Sequence, residues 1–316
     1  MDFKKVSIGF FGTPLFALES LKNIFHKQID IKYVVTQCPK PSGRGKKIKE
    51  SSVAKFSKEK KIPLYQPMDI QDPKFISSIS NYEVDFIVVV AYGKILDVKI
   101  INLPRLFCLN IHGSILPKWR GAAPIERAIL HGDKETGVSI MIVEKKLDSG
   151  PIVMAKKIVL DSNDNAGKIY KKLSKIGSEL IVQSIKAISE DNYSISKQSQ
   201  TGVTYAKKIC KKETKIEWTD TAETIDRKIR AFSPDPGAWF YFLKDRKKIR
   251  IKVLESAVIN GINQNKTDPY FIKDFNLIVR CKEKYIKIKT LKPEGKKIMN
   301  VKDFLNGLSN VNFTIE

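Results

Sequence analysis

Cysteine is scarce in this chain of 316 residues, and its copies are far apart. The four cysteines, Cys38, Cys108, Cys210 and Cys281, form no Cys-x-x-Cys pair. This spacing argues against a zinc site and against a disulfide framework. We therefore expect no metal and a reducing, cytoplasmic location.

Long hydrophobic runs are missing as well. No apolar run approaches the ~20 residues that a membrane-spanning helix needs, so no membrane contact is expected. The chain begins "MDFKKVSIGFFGTP", in which an acidic residue precedes a short apolar run and no small-residue cleavage site follows. This pattern predicts a first β-strand and not a signal peptide.

Common nucleotide-binding and nucleophile motifs are also lacking. The turn at Gly12 matches neither G-x-G-x-x-G nor a Walker loop, so nucleotide-cofactor use lacks its usual signal. No G-x-S-x-G elbow accompanies any of the three histidines. A covalent serine mechanism is therefore not indicated.

Positive charge is abundant. The chain has 57 Lys and Arg against 34 Asp and Glu, a net charge of +23. Residues 205–316 hold 25 of those basic residues and 14 acidic ones, so the excess is densest near the C-terminus. A Lys-rich proteome and a polyanionic partner such as RNA both account for this excess, and charge does not decide between them.

The order of predicted elements indicates an α/β fold. Strand-like runs such as "VDFIVVVAYG" and "LFCLNIH" alternate with helical segments, which predicts a Rossmann-like, doubly wound parallel sheet. Thr13 is expected to cap the first helix, with Pro14 at its first position. Two β-rich runs around the Asp148 turn predict an antiparallel pair that extends the sheet, and a long amphipathic helix follows.

The C-terminal third has a different pattern. Short β-rich runs without crossover helices predict a smaller, OB-like β-barrel, and "YIKIKTLK" places lysines on one face of a strand. We predict a catalytic domain over residues 1–189, a linker over 190–206 and the barrel over 207–316.

Three polar residues are candidates for chemistry. Asn110 and His112 share one face of a strand, because side chains two residues apart point the same way. They stand at the strand's carboxyl end, where open α/β sheets bind ligands. Asp148 lies in a tight turn after the next strand. Spacing alone favours a simpler interpretation, in which Asn110 and His112 only satisfy backbone groups and Asp148 only stabilises a turn.

The motifs together resemble those of the folate-dependent formyltransferases, and among them the methionyl-tRNA formyltransferases. The blocks that carry the resemblance occur in the same order along nearly the whole chain: "FFGTPLFALESL", "TQCPKPSGRGKKI", "VVVAYGKIL", "LNIHGSILPKWRGAAPIERAI", "GVSIMIVEKKLDSGPI", "TYAKKI", "IRAFSPDPGAW" and "LKPEGKKIM". Asp97 and Asp235 depart from the family's usual residues, and neither departure affects a catalytic position.

The resemblance implies transfer of a formyl group from 10-formyltetrahydrofolate to the amino group of methionine on initiator tRNA. It implies catalytic roles for Asn110, His112 and Asp148. It also implies that folate is a co-substrate and not a tightly bound cofactor. The folate-binding residues implied by the family are Ser114, Ile115, Leu116, Pro117, Tyr92 and Gly93. We expect a monomer.

The basic loop "KPSGRGKK" fits the tRNA partner. Glycines give mobility, and cationic side chains suit phosphates and exposed bases. The resemblance implies that Arg44, with Lys46 and Lys47, contacts the acceptor end of initiator tRNA, while a solvated loop is the simpler interpretation.

Other functions remain open at this level. A formyltransferase acting on a ribonucleotide amine or an amino sugar would share the Asn110, His112 and Asp148 set but would not need the basic loop. A non-catalytic RNA-binding protein would not need the three polar residues. A hydrolase that releases formate from the same folate would need no tRNA surface.

Overall fold

The computed structural model describes residues 6–42, 47–244, 247–260, 268–308 and 313–316. The chain divides into two compact units, each assembled from several segments. The first unit comprises Met1–Pro124, Glu135–Val159 and Tyr170–Lys207. The second comprises Ile125–Lys134, Leu160–Ile169 and Lys208–Glu316. The boundaries predicted from the sequence, at residues 189 and 206, stay a prediction.

The first unit holds the strands of the expected Rossmann-like sheet. In chain order the strands are β1 (Ser7–Gly12), β2 (Asp30–Val35), β3 (Lys40–Ser42), β4 (Lys47–Lys49), β5 (Leu64–Tyr65), β6 (Phe86–Val90), β7 (Phe107–His112), β8 (Arg120–Gly121), β9 (Glu135–Ile142), β10 (Ile152–Val159) and β11 (Tyr205–Ala206). The helices are α1 (Leu15–His26), α2 (Ser52–Glu59), α3 (Pro73–Ser80), α4 (Val98–Ile101), α5 (Pro124–His131) and α6 (Ala166–Ser189). Most of α5 and the first turn of α6 group with the second unit.

The main sheet has seven strands in the order β10-β9-β7-β6-β1-β2-β5. Strands β1, β2, β5, β6 and β7 are parallel, whereas β9 is antiparallel to both β7 and β10. Every residue of β1 and β6 is buried, as expected for central strands covered on both faces. The predicted parallel sheet and its antiparallel extension are confirmed.

The start of α1 differs from the sequence-based expectation. Its N-cap is Pro14, and no side chain caps it, so the expected Thr13 cap was wrong. The Thr13 hydroxyl instead donates to the carbonyl of Tyr92 at 3.4 Å and accepts from the amide of Gln37 at 3.3 Å. Because Thr13 follows the carboxyl end of β1, the ends of neighbouring strands compete successfully for its hydroxyl.

The second unit is an antiparallel barrel. Its strands are β12 (Ala238–Lys244), β13 (Lys247–Ile259), β14 (Tyr270–Lys273), β15 (Asn276–Arg280), β16 (Tyr285–Pro293), β17 (Met299–Asn300) and β18 (Phe313–Ile315). They pair in the order β14-β15-β16-β13-β12-β18, and β17 pairs with β16. Helices α7 (Ala222–Phe232) and α8 (Val301–Asn306) belong to the same unit.

Side chains link the two ends of that strand order. The ring of Tyr270 in β14 stacks on that of Phe313 in β18, with centroids 4.7 Å apart, and the Tyr270 hydroxyl donates to the Phe313 carbonyl. The sheet is therefore nearly closed, which confirms the predicted barrel. In β16, Ile286 and Ile288 are fully buried while Lys289 is exposed, the alternation that the sequence predicted.

An ion pair in the second unit gives a pH-dependent test of its stability. Nη1 and Nη2 of Arg127 donate to the two oxygens of Glu213 at 2.6 and 3.2 Å, and these bonds lower the pKa of Glu213 to about 2. A depressed carboxyl pKa stabilises the fold above the unfolded value of 4.5, and the contribution is lost as pH falls from there towards 2.

We expect Glu213→Gln to lower the free energy of unfolding by about 1 kcal/mol at neutral pH, since solvent screens this partly exposed pair. Urea unfolding should show the difference shrinking below pH 4.5. A difference that does not change with pH would contradict this assignment.

The described residues contain no helix that combines the length and apolar character needed to cross a bilayer.

Candidate active site

The candidate site lies beyond the carboxyl end of β7. Asn110 and His112 share one face of that strand. Ile111 points the other way, towards α6: a Cβ added to Gly177 of that helix would lie 2.7 Å from Cγ2 of Ile111. One face of β7 therefore packs against α6, and the other face carries Asn110 and His112.

The imidazole of His112 is held by two neighbours. Its Nε2 lies 2.9 Å from the carbonyl oxygen of Trp119. A carbonyl only accepts, so the proton on this nitrogen is assigned by that bond. Nδ1 then faces Oδ2 of Asp148 at 3.7 Å, and the ring is only 5% exposed. The ring is thus fixed between the Trp119 carbonyl on one side and the Asp148 carboxylate on the other.

Asp148 occupies a strained turn after β9. Its φ is 46°, in the left-handed region that Asp tolerates better than most residues because its short polar side chain can bond locally. Oδ2 accepts the amide N–H of Gly121 at 2.8 Å, and the side chain is 14% exposed. The carboxylate is thus held between a backbone donor and the imidazole.

Asn110 is the least constrained member of the set. It is partly buried and lies in register with Val89 of β6 and Met141 of β9. Among the described residues, its side-chain amide has no hydrogen-bond partner, so its donors are available to a ligand. The structure thus brings Asp148 to the residues at the end of β7, which spacing alone had left open.

Ser114 and Leu116, in the segment after β7, make hydrogen bonds within the protein. The Ser114 hydroxyl donates to the Lys118 carbonyl at 2.5 Å, and the Ser114 carbonyl accepts from Ser139 at 2.8 Å. Leu116 is 4% exposed, and its amide donates to the same Ser139 hydroxyl at 3.2 Å. Only Ile115 and Pro117 of the four predicted folate residues here have partly exposed side chains.

Tyr92 and Gly93 follow β6 on the neighbouring strand end. The Tyr92 ring is 2% exposed and packs edge-on against Phe11, with centroids 5.4 Å apart, and burial raises its pKa to about 12. Its carbonyl accepts from Nε2 of Gln37 at 2.6 Å. Gly93 has a φ of 81°, and a Cβ there would lie 2.6 Å from the same Nε2. A ligand could therefore contact the Tyr92 backbone but not its ring.

The basic loop forms an antiparallel hairpin at its base. β3 pairs with β4, and Lys47 is the first residue of β4. Arg44 and Lys46 lie outside the described residues, so their predicted contacts with tRNA stay a prediction.

Two residues that sequence reasoning missed hold the site together. The Trp119 carbonyl accepts a hydrogen bond from Nε2 of His112, and the Gly121 amide donates one to Oδ2 of Asp148. Both belong to "PKWRGAAP", which follows β7. Gly121 has a φ of 122°, and an added Cβ would lie 2.8 Å from the carbonyl oxygen of Ala206. The glycine itself was the available signal, because so close a backbone approach excludes any side chain.

In the described part of the chain, no group of three or more His, Cys, Asp or Glu side chains is arranged to hold a metal ion. The arrangement of Asn110, His112 and Asp148 provides hydrogen-bond donors and one carboxylate. Such a set can stabilise an oxyanion and move a proton, but it contains no serine or cysteine nucleophile.

Comparison with known protein families identifies the family of this chain. Residues 4–185 match the model of the formyl transferases, and residues 208–309 match that of the formyl transferase C-terminal domain. The chain belongs to the formyl transferase family. The resemblance drawn from the sequence motifs is confirmed.

Two curated family members are similar over almost their full length. A methionyl-tRNA formyltransferase of Thermodesulfovibrio yellowstonii is 41% identical over 302 residues, which cover 95% of each chain. One from Parvibaculum lavamentivorans is 36% identical over 306 residues, covering 96% of this chain and 97% of the relative.

Solved structures share the fold at low sequence identity. The sugar 3N-formyl transferase WlaRD, solved with dTDP and 5-N-formyl-THF, superposes with a TM-score of 0.64 at 19% identity, covering 90% of this chain and 97% of its own. HypX from Aquifex aeolicus in complex with tetrahydrofolic acid gives a TM-score of 0.62 at 12% identity, covering 97% of this chain and 48% of its own.

Proposed function

We propose that this chain transfers a formyl group from 10-formyltetrahydrofolate to the α-amino group of methionine on initiator tRNA, for translation initiation. The observation that carries the proposal is the approach of the Asp148 carboxylate to the His112 imidazole, 3.7 Å apart, at the end of the strand that also presents Asn110. The curated relatives of nearly equal length bear the corresponding name.

The substrate amine supplies its own nucleophile. An α-amino group has a pKa of roughly 8, so an appreciable fraction is neutral near neutral pH. Its nitrogen attacks the formyl carbon, a C–N bond forms, and the carbonyl electron pair moves to the oxygen. The resulting tetrahedral species has a negative oxygen and a positive amine nitrogen. No covalent enzyme intermediate is required.

The three polar residues match these charges. Asn110, with its available amide donors, and His112, when Nδ1 is protonated, donate hydrogen bonds to the negative oxygen. Such a donor is typically worth about 100- to 1000-fold in rate. Asp148 takes up the amine proton, directly or through water. The electron pair on the oxygen then re-forms the carbonyl, and the bond from the carbon to the folate nitrogen breaks. That nitrogen leaves with the proton that Asp148 took from the amine, which regenerates the carboxylate.

The residues predicted to bind folate suit a flat pterin ring, which requires directional hydrogen bonds with amide groups. Ile115 and Pro117 can contribute side-chain contacts, because they are partly exposed. Ser114, Leu116, Tyr92 and Gly93 would contribute through the backbone, since the first three have buried side chains and Gly93 has none. Folate is a co-substrate in this proposal and is released after each turnover.

The tRNA partner accounts for the basic surfaces. Neutralising phosphates releases counterions and is favourable for any polyanion. The exposed Lys289 and Lys292 of β16 and the exposed Lys40 and Lys49 of the hairpin strands β3 and β4 are suited to this role. A monomeric, cytoplasmic enzyme is part of the same proposal.

The decisive experiment supplies 10-formyltetrahydrofolate and Met-tRNA to the purified chain. Formyl-methionine is measured for initiator and elongator tRNA in parallel, with a dTDP-amino sugar as a third acceptor. We expect formylation of the initiator form only. Formylation of the amino sugar and not of either tRNA would assign a different substrate class.

Arg44→Ala is expected to reduce kcat/KM for initiator Met-tRNA by about tenfold or more, a loss typical of a removed charged contact to nucleic acid. The dissociation constant for the folate should stay within about twofold, since the loop follows a different strand from Asn110 and His112. Steady-state kinetics with varied tRNA and folate fluorescence titration separate the two effects. Lys61→Ala, which removes an exposed lysine elsewhere in the same unit, is the control. Unchanged tRNA kinetics in Arg44→Ala would remove this residue from recognition.

A further inference from the structure

A buried arginine lies next to the glycine whose amide holds Asp148. Arg120, in β8, is 2% exposed, and its Nε and Nη2 both donate to Oε1 of Gln198, at 3.1 and 2.7 Å. A buried cation is costly unless its N–H groups are bonded. Gln198 is therefore the side chain that helps to keep this guanidinium inside the unit.

The other end of the Gln198 amide reaches the Asp148 turn. Nε2 donates to the carbonyl oxygens of Asp148 at 3.0 Å and of Gly150 at 2.6 Å. With two donors and two acceptor lone pairs used, the amide is fully satisfied. Its orientation is also unambiguous, because a reversed amide would face the guanidinium with N–H groups and the two carbonyls with an oxygen.

These two carbonyls bracket the turn that carries the carboxylate. Asp148 has a φ of 46°, and a Cβ on Gly150 would lie 1.8 Å from the Ile142 carbonyl, so the turn is tightly constrained against β9. The cation of Arg120 polarises the amide of Gln198 and so strengthens the bonds that the amide donates. The pair thus fixes the backbone from which Asp148 reaches His112.

We propose that Arg120 and Gln198 are a positioning pair that sets the carboxylate of Asp148 against the imidazole of His112. Gln198 lies in the segment predicted to be a linker, but that segment is bound to the first unit. Ser196 bridges to Ile152, and the amide of Arg120 donates to the carbonyl of Thr204 at 2.9 Å. The catalytic consequence of the pair rests on the function proposed above.

Gln198→Glu separates positioning from folding. The new carboxylate keeps, and strengthens, the bonds to the guanidinium of Arg120. It also places an oxygen against the carbonyls of Asp148 and Gly150, where Gln198 donated two hydrogen bonds. We expect kcat to fall on the order of ten- to a hundredfold, as for a small misplacement of a catalytic group, with KM changed less than about threefold. The double variant Arg120→Met, Gln198→Met, which has no buried charge to satisfy, should show a similar loss.

A double-mutant cycle tests whether Gln198 acts through Asp148. If it does, Gln198→Glu should have little further effect on kcat in an Asp148→Asn background, because the group it positions is already disabled. Multiplicative losses in the combined variant would overturn the proposal. Ser199→Ala, which alters an exposed hydroxyl in the same segment, should behave as the unaltered chain in every assay.

A spectroscopic measurement makes the test independent of the substrate. The chain has three histidines, so ¹⁵N-labelled histidine gives few ring signals to assign. At one fixed pH, the ring shifts of His112 should move in Gln198→Glu in the direction seen in Asp148→Asn, while those of the exposed His26 and His131 stay unchanged. If the unaltered chain formylates no acceptor, the proposed function is wrong, but the positioning pair can still be tested by the His112 shifts. Shifts that move in Gln198→Glu support the positioning pair, and shifts that do not move overturn it.

Discussion

His112→Ala should lower kcat for formyl transfer on the order of 1000-fold. The imidazole lies at the end of β7 with Nε2 bonded to the Trp119 carbonyl and Nδ1 facing Asp148, so its removal takes away a hydrogen-bond donor and one side of a proton-transfer pair. Losing an oxyanion donor costs about 100- to 1000-fold, and general acid–base help adds a comparable factor. The two roles belong to one group, so the factors do not simply multiply.

Folding must be separated from catalysis in this variant. The substitution leaves the Trp119 carbonyl without the His112 donor, which costs roughly 1 kcal/mol of stability. Thermal unfolding and initiator Met-tRNA kinetics should be measured on the same sample. His131→Ala, at a 67% exposed imidazole, is the matched control and should retain normal turnover. Near-normal turnover in a folded His112→Ala chain would remove this residue from the mechanism.

The strand that carries the site could be predicted because its alternating residue pattern agrees with its place in the sheet. "LFCLNIH" alternates so that Ile111 faces α6 while Asn110 and His112 share the opposite face, and the sheet order places that strand next to β6. The turn after β9 was also predictable from Asp148, Ser149 and Gly150. Local pattern and topology therefore predict the strand and the turn, whereas the approach of Asp148 to His112 is seen only in the structure.

Contacts between distant segments could not be predicted in this way. Gln198 lies 78 positions from Arg120 and 50 from Asp148, inside a polar stretch whose composition is typical of a linker. Tyr92 follows a buried strand, and nothing in "AYGKIL" indicates that its ring turns back against Phe11. Thr13 has the local pattern of a helix cap, but its hydroxyl bonds to neighbouring strand ends. In each case a long-range partner outcompetes the local interaction.

Asp148→Asn is expected to reduce kcat by about 100-fold or more while leaving the backbone of the turn in place. Asn tolerates the left-handed φ of 46° as well as Asp does, and its carbonyl oxygen can still accept the Gly121 amide. The change therefore removes the negative charge beside His112 and the ability to take up the amine proton, not the shape of the site. A carboxylate in that role contributes about 100- to 10,000-fold.

A second left-handed aspartate provides the control for this variant. Asp191, with a φ of 52°, is exposed after α6, so Asp191→Asn makes the same chemical change in a similar backbone conformation. We expect normal turnover in Asp191→Asn and a low kcat with nearly unchanged KM for folate and tRNA in Asp148→Asn, because the loss lies in the transition state and not in binding. If Asp148→Asn instead raises KM with kcat intact, the carboxylate contributes to binding, and the proton must leave the amine by a route that does not involve this side chain.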